Sequence, residues 1–153
     1  MHDVSIRRAG PRDLDALAAL FDAYRGFYGQ PSDVPRARDW LRTRMRVGES
    51  VVLAAELDGT VAGFAQLYPM YSSVRTARTW ILNDLFVAEA ARRRGVARAL
   101  LDAASAFARE DGAAGISLET TRDNAPARAL YREAGWNEDD TQWYSLRLDG
   151  QAG

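Results

Sequence analysis

The stretch from Thr79 to Thr121 constrains the fold more than any other part of this 153-residue chain. Thr79–Val87 is a strand-like run rich in apolar residues, and Ala88–Gly95 is a short basic loop. Val96, Leu100, Ala103, Ala104, Phe107 and Ala108 then recur at helical spacing, and that helix ends near Gly112. Ile116–Thr121 reads as another strand. Strand, helix and strand in that order build a parallel pair with a right-handed crossover. The chain is therefore expected to pack at least one helix against a partly parallel sheet.

The remaining elements fit around that unit. Val4–Arg8 alternates apolar and polar residues and is predicted to be a first strand, broken by Gly10 and Pro11. Leu14, Leu17, Ala18, Phe21 and Tyr24 mark a helix that starts near Arg12 or Asp13 and closes at Gly26 and Gly29. After a turn at Pro31–Pro35, a second helix is predicted over about Arg36–Val47, with Trp40, Leu41 and Met45 inward. Ser50–Leu57 and Thr60–Tyr68 pair across Asp58-Gly59, a strong two-residue hairpin signal. Pro69–Ala77 reads as a polar connection bearing aromatics. Asn124 begins a short helix carrying Leu130, Tyr131 and Ala134, with Gly135 as a left-handed cap. Trp143–Leu148 is a last alternating strand. The predicted order is β-α-α-β-β-β-α-β-α-β, an α/β (α+β) fold on a mixed, mostly antiparallel sheet. One domain is expected over residues 1–153.

Composition removes whole classes of chemistry. There is no Cys, which excludes disulfides, thiolate nucleophiles and Cys-based zinc sites. The one His is His2, so neither a Ser-His-Asp relay nor a His-rich metal site is expected. All 20 basic residues are Arg, which rules out a Schiff-base lysine. A formal net charge of −1 gives no whole-protein attraction to nucleic acid. No apolar run reaches the roughly 18 residues of a membrane span, and no secretory leader is expected. A cytoplasmic protein is expected, with neither nucleic acid nor membrane as partner.

Two stretches are candidate sites. In the first, Leu85-Phe86-Val87 leads through a tight turn to Arg92-Arg93-Arg94-Gly95-Val96-Ala97-Arg98, where a helix opens. A helix N-terminus leaves about four backbone N–H groups unpaired and carries roughly half a positive charge, which suits phosphate. Gly95 and Ala97 are small enough to admit a ligand close to the backbone. No Gly-Lys-Ser/Thr follows, and the dinucleotide glycine pattern is absent. By itself the loop fits a solvated basic turn equally well. In the second stretch, Asn124 is a good N-cap and Pro126 is tolerated in the first turn. Tyr131 lies about two turns further on, roughly on the same face. Alone, this also fits a capped helix with a core tyrosine.

Together, in this order and spacing, the two stretches resemble the GCN5-related N-acetyltransferase (GNAT) family. Arg92-x-x-Gly95-x-Ala97 is similar to the family's pyrophosphate signature, with Ala in place of the second Gly. Asn124 and Tyr131, followed by Gly135-Trp136, resemble its second cofactor motif. The resemblance implies the GNAT fold, acetyl-CoA as co-substrate and no metal. It implies that backbone groups of Leu85, Phe86 and Val87 pair with the cofactor like an added strand. Amides and side chains of Arg92, Arg93, Arg94, Gly95, Val96, Ala97 and Arg98 would hold the pyrophosphate. Asn124 and Ala127 would line the pantetheine arm, and Tyr131 would face the sulfur. A looser resemblance ties the runs at Phe27–Ser32 and Trp80–Val87 to fungal histone, polyamine and D-amino-acid acetyltransferases.

Direct transfer from thioester to amine needs no nucleophilic side chain or His. An alkyl amine titrates near 10.4, so a base or desolvation must remove its proton. Tyr131 is expected to stabilise the departing thiolate by hydrogen bonding, because full proton transfer to it is uphill by roughly 2 kcal/mol. The base is open. Relatives carry Glu at the position aligned with Asn83, and Asn cannot serve. Asp84 faces the wrong way on a regular strand unless a bulge re-aims it, and Glu119 would act through a water. Either acid also fits a structural or surface role. Tyr24, Phe27, Tyr28, Tyr68, Tyr71 and Trp80 are aromatics that could line an acceptor cleft, with Tyr28, Tyr71, Trp80 and Asn83 the chosen substrate residues. The expected acceptor is a primary amine on a small molecule, such as a polyamine or amino acid. A protein lysine or N-terminus is the rival, and a non-catalytic CoA-binding module is the rival of another class. A homodimer is implied by the resemblance, with the last strand as a candidate interface.

Overall fold

Backbone hydrogen bonding drives five segments into one sheet, whose order follows the chain from β1 to β5. The computed structural model describes residues 3–150; His2 lies outside them. The strands are β1 (Val4–Arg8), β2 (Val51–Leu57), β3 (Thr60–Ser72), β4 (Ala77–Val87) and β5 (Ile116–Ser117). Pairs β1–β2, β2–β3 and β3–β4 are antiparallel, whereas β4–β5 is parallel. The helices are α1 (Leu14–Phe27), α2 (Val34–Arg46), α3 (Val96–Glu110) and α4 (Ala125–Glu133). This mixed, mostly antiparallel α+β arrangement is the fold expected.

Alternation along the strands sorts their side chains onto two faces. Val52 and Phe64 meet Leu14, Leu17 and Phe21 of α1 and Leu41 of α2. Val51, Leu53, Ala65, Leu67, Trp80 and Leu82 meet Val96, Leu100, Leu101 and Ala104 of α3 on the other face. The β2–β3 turn follows the hairpin rule: Asp58 (φ 54°) and Gly59 (φ 77°) both adopt positive φ, as a type I′ turn requires. Gly63 is required for a different reason. A Cβ there would lie 2.8 Å from the Phe86 carbonyl oxygen and 3.3 Å from a Val96 methyl. Only glycine lets β3 pass this close to β4 beneath the start of α3.

Several expectations are corrected. Residues 69–72 and 77 of the supposed connection are strand, so β3 and β4 run beyond β2 as a two-stranded arm. Gly26 lies inside α1, which continues to Phe27. Trp40 faces outward, 47% exposed, under the Arg44 guanidinium at 4.3 Å. The strand predicted over Ile116–Thr121 shrinks to two residues. The predicted last strand, Trp143–Leu148, does not form, because residues 143–148 pair with no neighbouring strand in this structure.

Candidate active site

Two local irregularities open a cleft at the end of β4. The first is a β-bulge. Gln66 pairs with Asp84 and Leu67 with Leu82, so Asn83 is an extra residue in β4. The bulge reverses the alternation. Leu82 faces α3, whereas Asp84 and Phe86 turn toward the α1 side with Gln66 and Phe64. The second is a parting of strands. β4 and β5 pair only at Trp80–Ile116 and Ile81–Ser117. Beyond that point residues 82–87 form one wall of a cleft of about 660 Å³, and Leu118, Glu119 and Thr120 form the other.

The loop after β4 closes one end. Arg93 has φ 65° and Gly95 has φ 78°, so the chain turns sharply before α3. Gly95 is the α3 N-cap and supplies no side-chain cap. The first α3 amides therefore keep their hydrogen-bonding capacity toward the cleft. A Cβ on Gly95 would meet nothing within 4 Å, which leaves room for a ligand against the backbone. Arg92 donates from Nε to the Val87 carbonyl at 3.0 Å and lays its guanidinium over Phe86 at 5.5 Å. One of the β4 carbonyls expected to receive a ligand is thus held by Arg92.

At the far wall, Asn124 Oδ1 accepts from Ala127 N at 3.3 Å and its Nδ2 donates to Thr120 Oγ1 at 3.3 Å. Its side chain ties the start of α4 to the wall and acts as the N-cap foreseen. Gly135 (φ 91°) ends α4 in the left-handed region. Tyr131 projects into the cleft from α4, half-buried, 6.5 Å from the Trp136 ring. Burial and the neighbouring Tyr28 push its hydroxyl pKa above the usual tyrosine value.

The third wall is aromatic. Tyr24, Phe27 and Tyr28 of α1 and the turn after it line the cleft. Tyr24 and Tyr28 meet edge to face at 5.1 Å. Asp22 clamps that turn by accepting from Asp33 N at 2.6 Å and Ser32 Oγ at 2.7 Å. Beneath it lies Asp84, 4% exposed. Its carboxylate accepts from Gln66 Nε2 at 2.6 Å and Asn83 Nδ2 at 3.1 Å. Tyr24 donates toward the Asn83 carbonyl at 3.4 Å and lies beside the Asp84 carboxylate. Burial raises the Asp84 pKa above the ordinary carboxylate range, and the hydrogen bonds from Gln66, Tyr24 and Asn83 only partly offset it. Burial, followed by the Asp84 charge, pushes Tyr24 upward as well.

The cleft therefore gathers Leu85, Phe86, Val87, Arg92, Arg93, Gly95, Val96, Ala97, Arg98, Asn124, Ala127, Tyr131, Glu119, Asn83 and Tyr28. Four expected residues stand apart from its lining. Arg94 is exposed outside the lining, and Asp84 lies buried beside Tyr24. Tyr71 is exposed on the β3–β4 arm, and Trp80 is buried against Phe107 with its Nε1 donating to Asp111 at 2.9 Å. Tyr68 likewise lies outside the cleft, bonded through its hydroxyl to Trp40 Nε1. Sequence reasoning missed Gln66, although a lone amide within the apolar run from Val61 to Leu67 was a signal. Among the described residues, no group of His, Cys, Asp and Glu could hold a metal ion. No helix there is long and apolar enough to cross a membrane.

Comparison with known proteins agrees with this architecture. Residues 14–136 match the model of the acetyltransferase (GNAT) family. An uncharacterized N-acetyltransferase of Bacillus subtilis, YhfO, is 46% identical over 136 residues, spanning 89% of this chain and 91% of its own. An L-methionine sulfoximine/L-methionine sulfone acetyltransferase of Pseudomonas aeruginosa is 27% identical over 86% of this chain and 79% of its own length. A crystal structure of a probable acetyltransferase superposes with a TM-score of 0.90 at 41% identity, covering 96% of this chain and 99% of that one. With a family match across four-fifths of its length, the chain belongs to the GNAT acetyltransferases and is an acetyl-CoA-dependent acyltransferase.

Proposed function

We propose that this enzyme acetylates a primary amine on a small molecule, as one acetyltransferase domain over residues 1–153 working in the cytoplasm as a homodimer. The observation that carries the acceptor class is the aromatic wall of Tyr24, Phe27 and Tyr28, which lines the cleft and suits a cation. The relative named for methionine sulfoximine and methionine sulfone, both small amino compounds, supports the same reading.

The residues present fit acetyl-CoA. The unpaired amides from Gly95 to Arg98, with Arg92, Arg93 and Arg98 beside them, suit a pyrophosphate. The free edge of β4 at Leu85 and Phe86 suits a pantetheine arm, with Ala127 and Asn124 opposite. When bound, acetyl-CoA supplies an activated acyl thioester. Tyr131, like any tyrosine at neutral pH, keeps its proton, and burial only strengthens that hold; its hydroxyl donates a hydrogen bond where negative charge develops on sulfur.

The acceptor arrives as an ammonium ion and must lose a proton before it can attack. Asp84 is the acceptor of that proton in this reading, reached through the Tyr24 hydroxyl that separates it from the cleft. Its raised pKa brings a carboxylate closer to the working range of a general base. Glu119, on the opposite wall, is the alternative base through a water.

Titration calorimetry with acetyl-CoA tests the co-substrate site, with Gly95→Glu as control. The wild type is expected to bind and the variant to lose binding, since glutamate adds negative charge and a Cβ at φ 78°. No binding by the folded wild type, or equal binding by both proteins, would refute the site. Amine and peptide panels then separate small acceptors from protein acceptors, and turnover confined to peptides would overturn the small-molecule reading.

A further inference from the structure

Gln66 is fully buried, yet it carries an amide in the middle of an apolar run. Alternation along β3 puts it in one row with Phe64 and Tyr68, on the sheet face that meets α1 and α2. The bulge at Asn83 makes Asp84 its direct cross-strand partner. Partners so placed hold their Cβ atoms about 5 Å apart, and Gln66 Nε2 donates to Asp84 Oδ2 at 2.6 Å. The other end of the same amide is idle. Gln66 Oε1 is buried and has no hydrogen-bond partner among the described residues. Burying an amide is costly unless both ends are used, so a half-used one at this position calls for a reason.

The surroundings of Asp84 supply one. The groups around its carboxylate are Tyr24 from α1, the adjacent Asn83, and Gln66 and Tyr68 from β3. Beyond them lie Tyr28, edge to face with Tyr24, and Arg44 of α2, whose charge reaches Tyr68. A carboxyl group that takes up and gives back a proton alternates between two states with opposite needs. Ionised, it needs donors; protonated, it presents an O–H of its own and needs an acceptor. A paired cation would serve the first state alone. Gln66 can serve both, with a donor at Nε2 and a spare acceptor at Oε1. A half-turn about its terminal torsion exchanges them, and that torsion is broad and roughly two-fold.

We propose that Gln66 is a positioning residue for the reaction, donating to the Asp84 carboxylate before proton transfer and turning its amide to accept from the Asp84 carboxylic acid afterwards. This rests on the reading of Asp84 as the proton acceptor. The step balances as a double transfer. The ammonium N–H bond breaks as a proton passes to the Tyr24 oxygen, and the Tyr24 O–H bond breaks as its own proton passes to Asp84. Tyr24 begins and ends neutral, so it never becomes the phenolate that its raised pKa opposes. Oδ2 is the oxygen that stores the proton. Asn83 Nδ2 holds Oδ1 at 3.1 Å, whereas the donor on Oδ2 is the amide that can turn. The new O–H swings about its C–O bond from Tyr24 to Gln66 Oε1, and the proton later leaves by the same route. Tyr68, whose hydroxyl accepts from Trp40 Nε1 at 3.3 Å, stands beside Gln66 and backs the amide from the α2 side.

Two measurements on the full chain test this. The first is the pH profile of kcat/KM for the wild type, Gln66→Met and Asp84→Asn. Methionine keeps the volume and removes both ends of the amide. The Gln66 hydrogen bond favours the ionised Asp84, so its loss is expected to move the acidic limb of the profile up by about one pH unit. The plateau is expected to fall about tenfold, with KM for acetyl-CoA unchanged. A slow Gln66→Met whose limb stays in place would make the role of Gln66 purely structural and overturn the proposal. The second measurement uses the wild type alone, so it does not depend on how a variant folds. Side-chain amide protons of the isotope-labelled chain are followed by NMR across the limb. The Gln66 proton held against the carboxylate is expected far downfield above the limb and to lose that shift below it, with the same midpoint. A Gln66 signal that does not move would overturn the proposal. Full activity in Asp84→Asn would sink the base reading and this proposal with it. An inactive Asp84→Asn beside an unmoved limb in Gln66→Met would sink this proposal alone.

Discussion

Asp13 and Asp84 are buried to almost the same depth, 6% and 4% exposed, yet their carboxyl groups are pushed in opposite directions. Asp13 receives Nη1 and Nη2 of Arg7 at 2.8 and 2.7 Å and the Gly10 amide at 2.8 Å. The same guanidinium reaches Glu56 at 2.7 Å. These hydrogen bonds, Arg7's foremost, outweigh burial and lower the Asp13 pKa to about 2. Asp84 has two amides and a phenol for company, and burial dominates. Depth alone therefore says little about a carboxylate. What matters is whether a fixed cation accompanies it. Asp13 pins β1 to the turn before α1, whereas Asp84 has no cation beside it to hold its charge.

The largest expected effect separates the two by activity. Asp84→Asn should lower kcat/KM about a hundredfold or more and remove one limb of its pH profile, while stability at neutral pH is unchanged or higher. Full activity in that variant would pass the base to Glu119. Asp13→Ala should do the reverse, costing about 3 kcal/mol in urea denaturation with turnover intact in the folded fraction.

The pH dependence of stability sharpens the contrast further. Asp13 has a folded pKa below the ordinary value near 3.9. Its contribution is present above about pH 4 and is lost as pH falls toward 2, on the order of 2 kcal/mol in all. Asp84 acts with the opposite sign: its folded pKa is raised, so ionising it costs stability, and relative stability rises as pH falls through that value. Denaturation curves of Asp13→Asn and Asp84→Asn between pH 2 and 8 should flatten these two separate limbs. The smallest effect is at Tyr131→Phe, where losing one hydrogen bond to developing charge should lower kcat about tenfold. Acetyl-CoA affinity, read by calorimetry, should be spared.

How much of this was legible beforehand follows the range of the forces involved. Asn124, Gly135, Asp58-Gly59 and the Arg92–Ala97 loop act within a turn or two of chain, and their local signals placed them correctly. The Asn83 bulge depends on how β4 meets β3, so sequence named it only as a condition on Asp84. Trp80 was misplaced because its partner, Asp111, lies 31 residues away. Trp40 looked inward by spacing, yet it settles on Arg44 at the surface. The last strand was read from a true alternation, but a strand also needs an edge to join, and no periodicity reveals whose edge that is.

The turn clamped by Asp22 has an evolutionary consequence. In the function proposed, the grip on the co-substrate comes from segments after β4 and β5, whereas the acceptor wall comes from α1 and the turn that Asp22 holds. These segments are far apart in sequence and meet only across the cleft. Changes at Phe27, Tyr28 or the residues between them and Asp33 can therefore retune the acceptor without disturbing the shared machinery. Descendants of such a gene can diversify their clientele one helix end at a time.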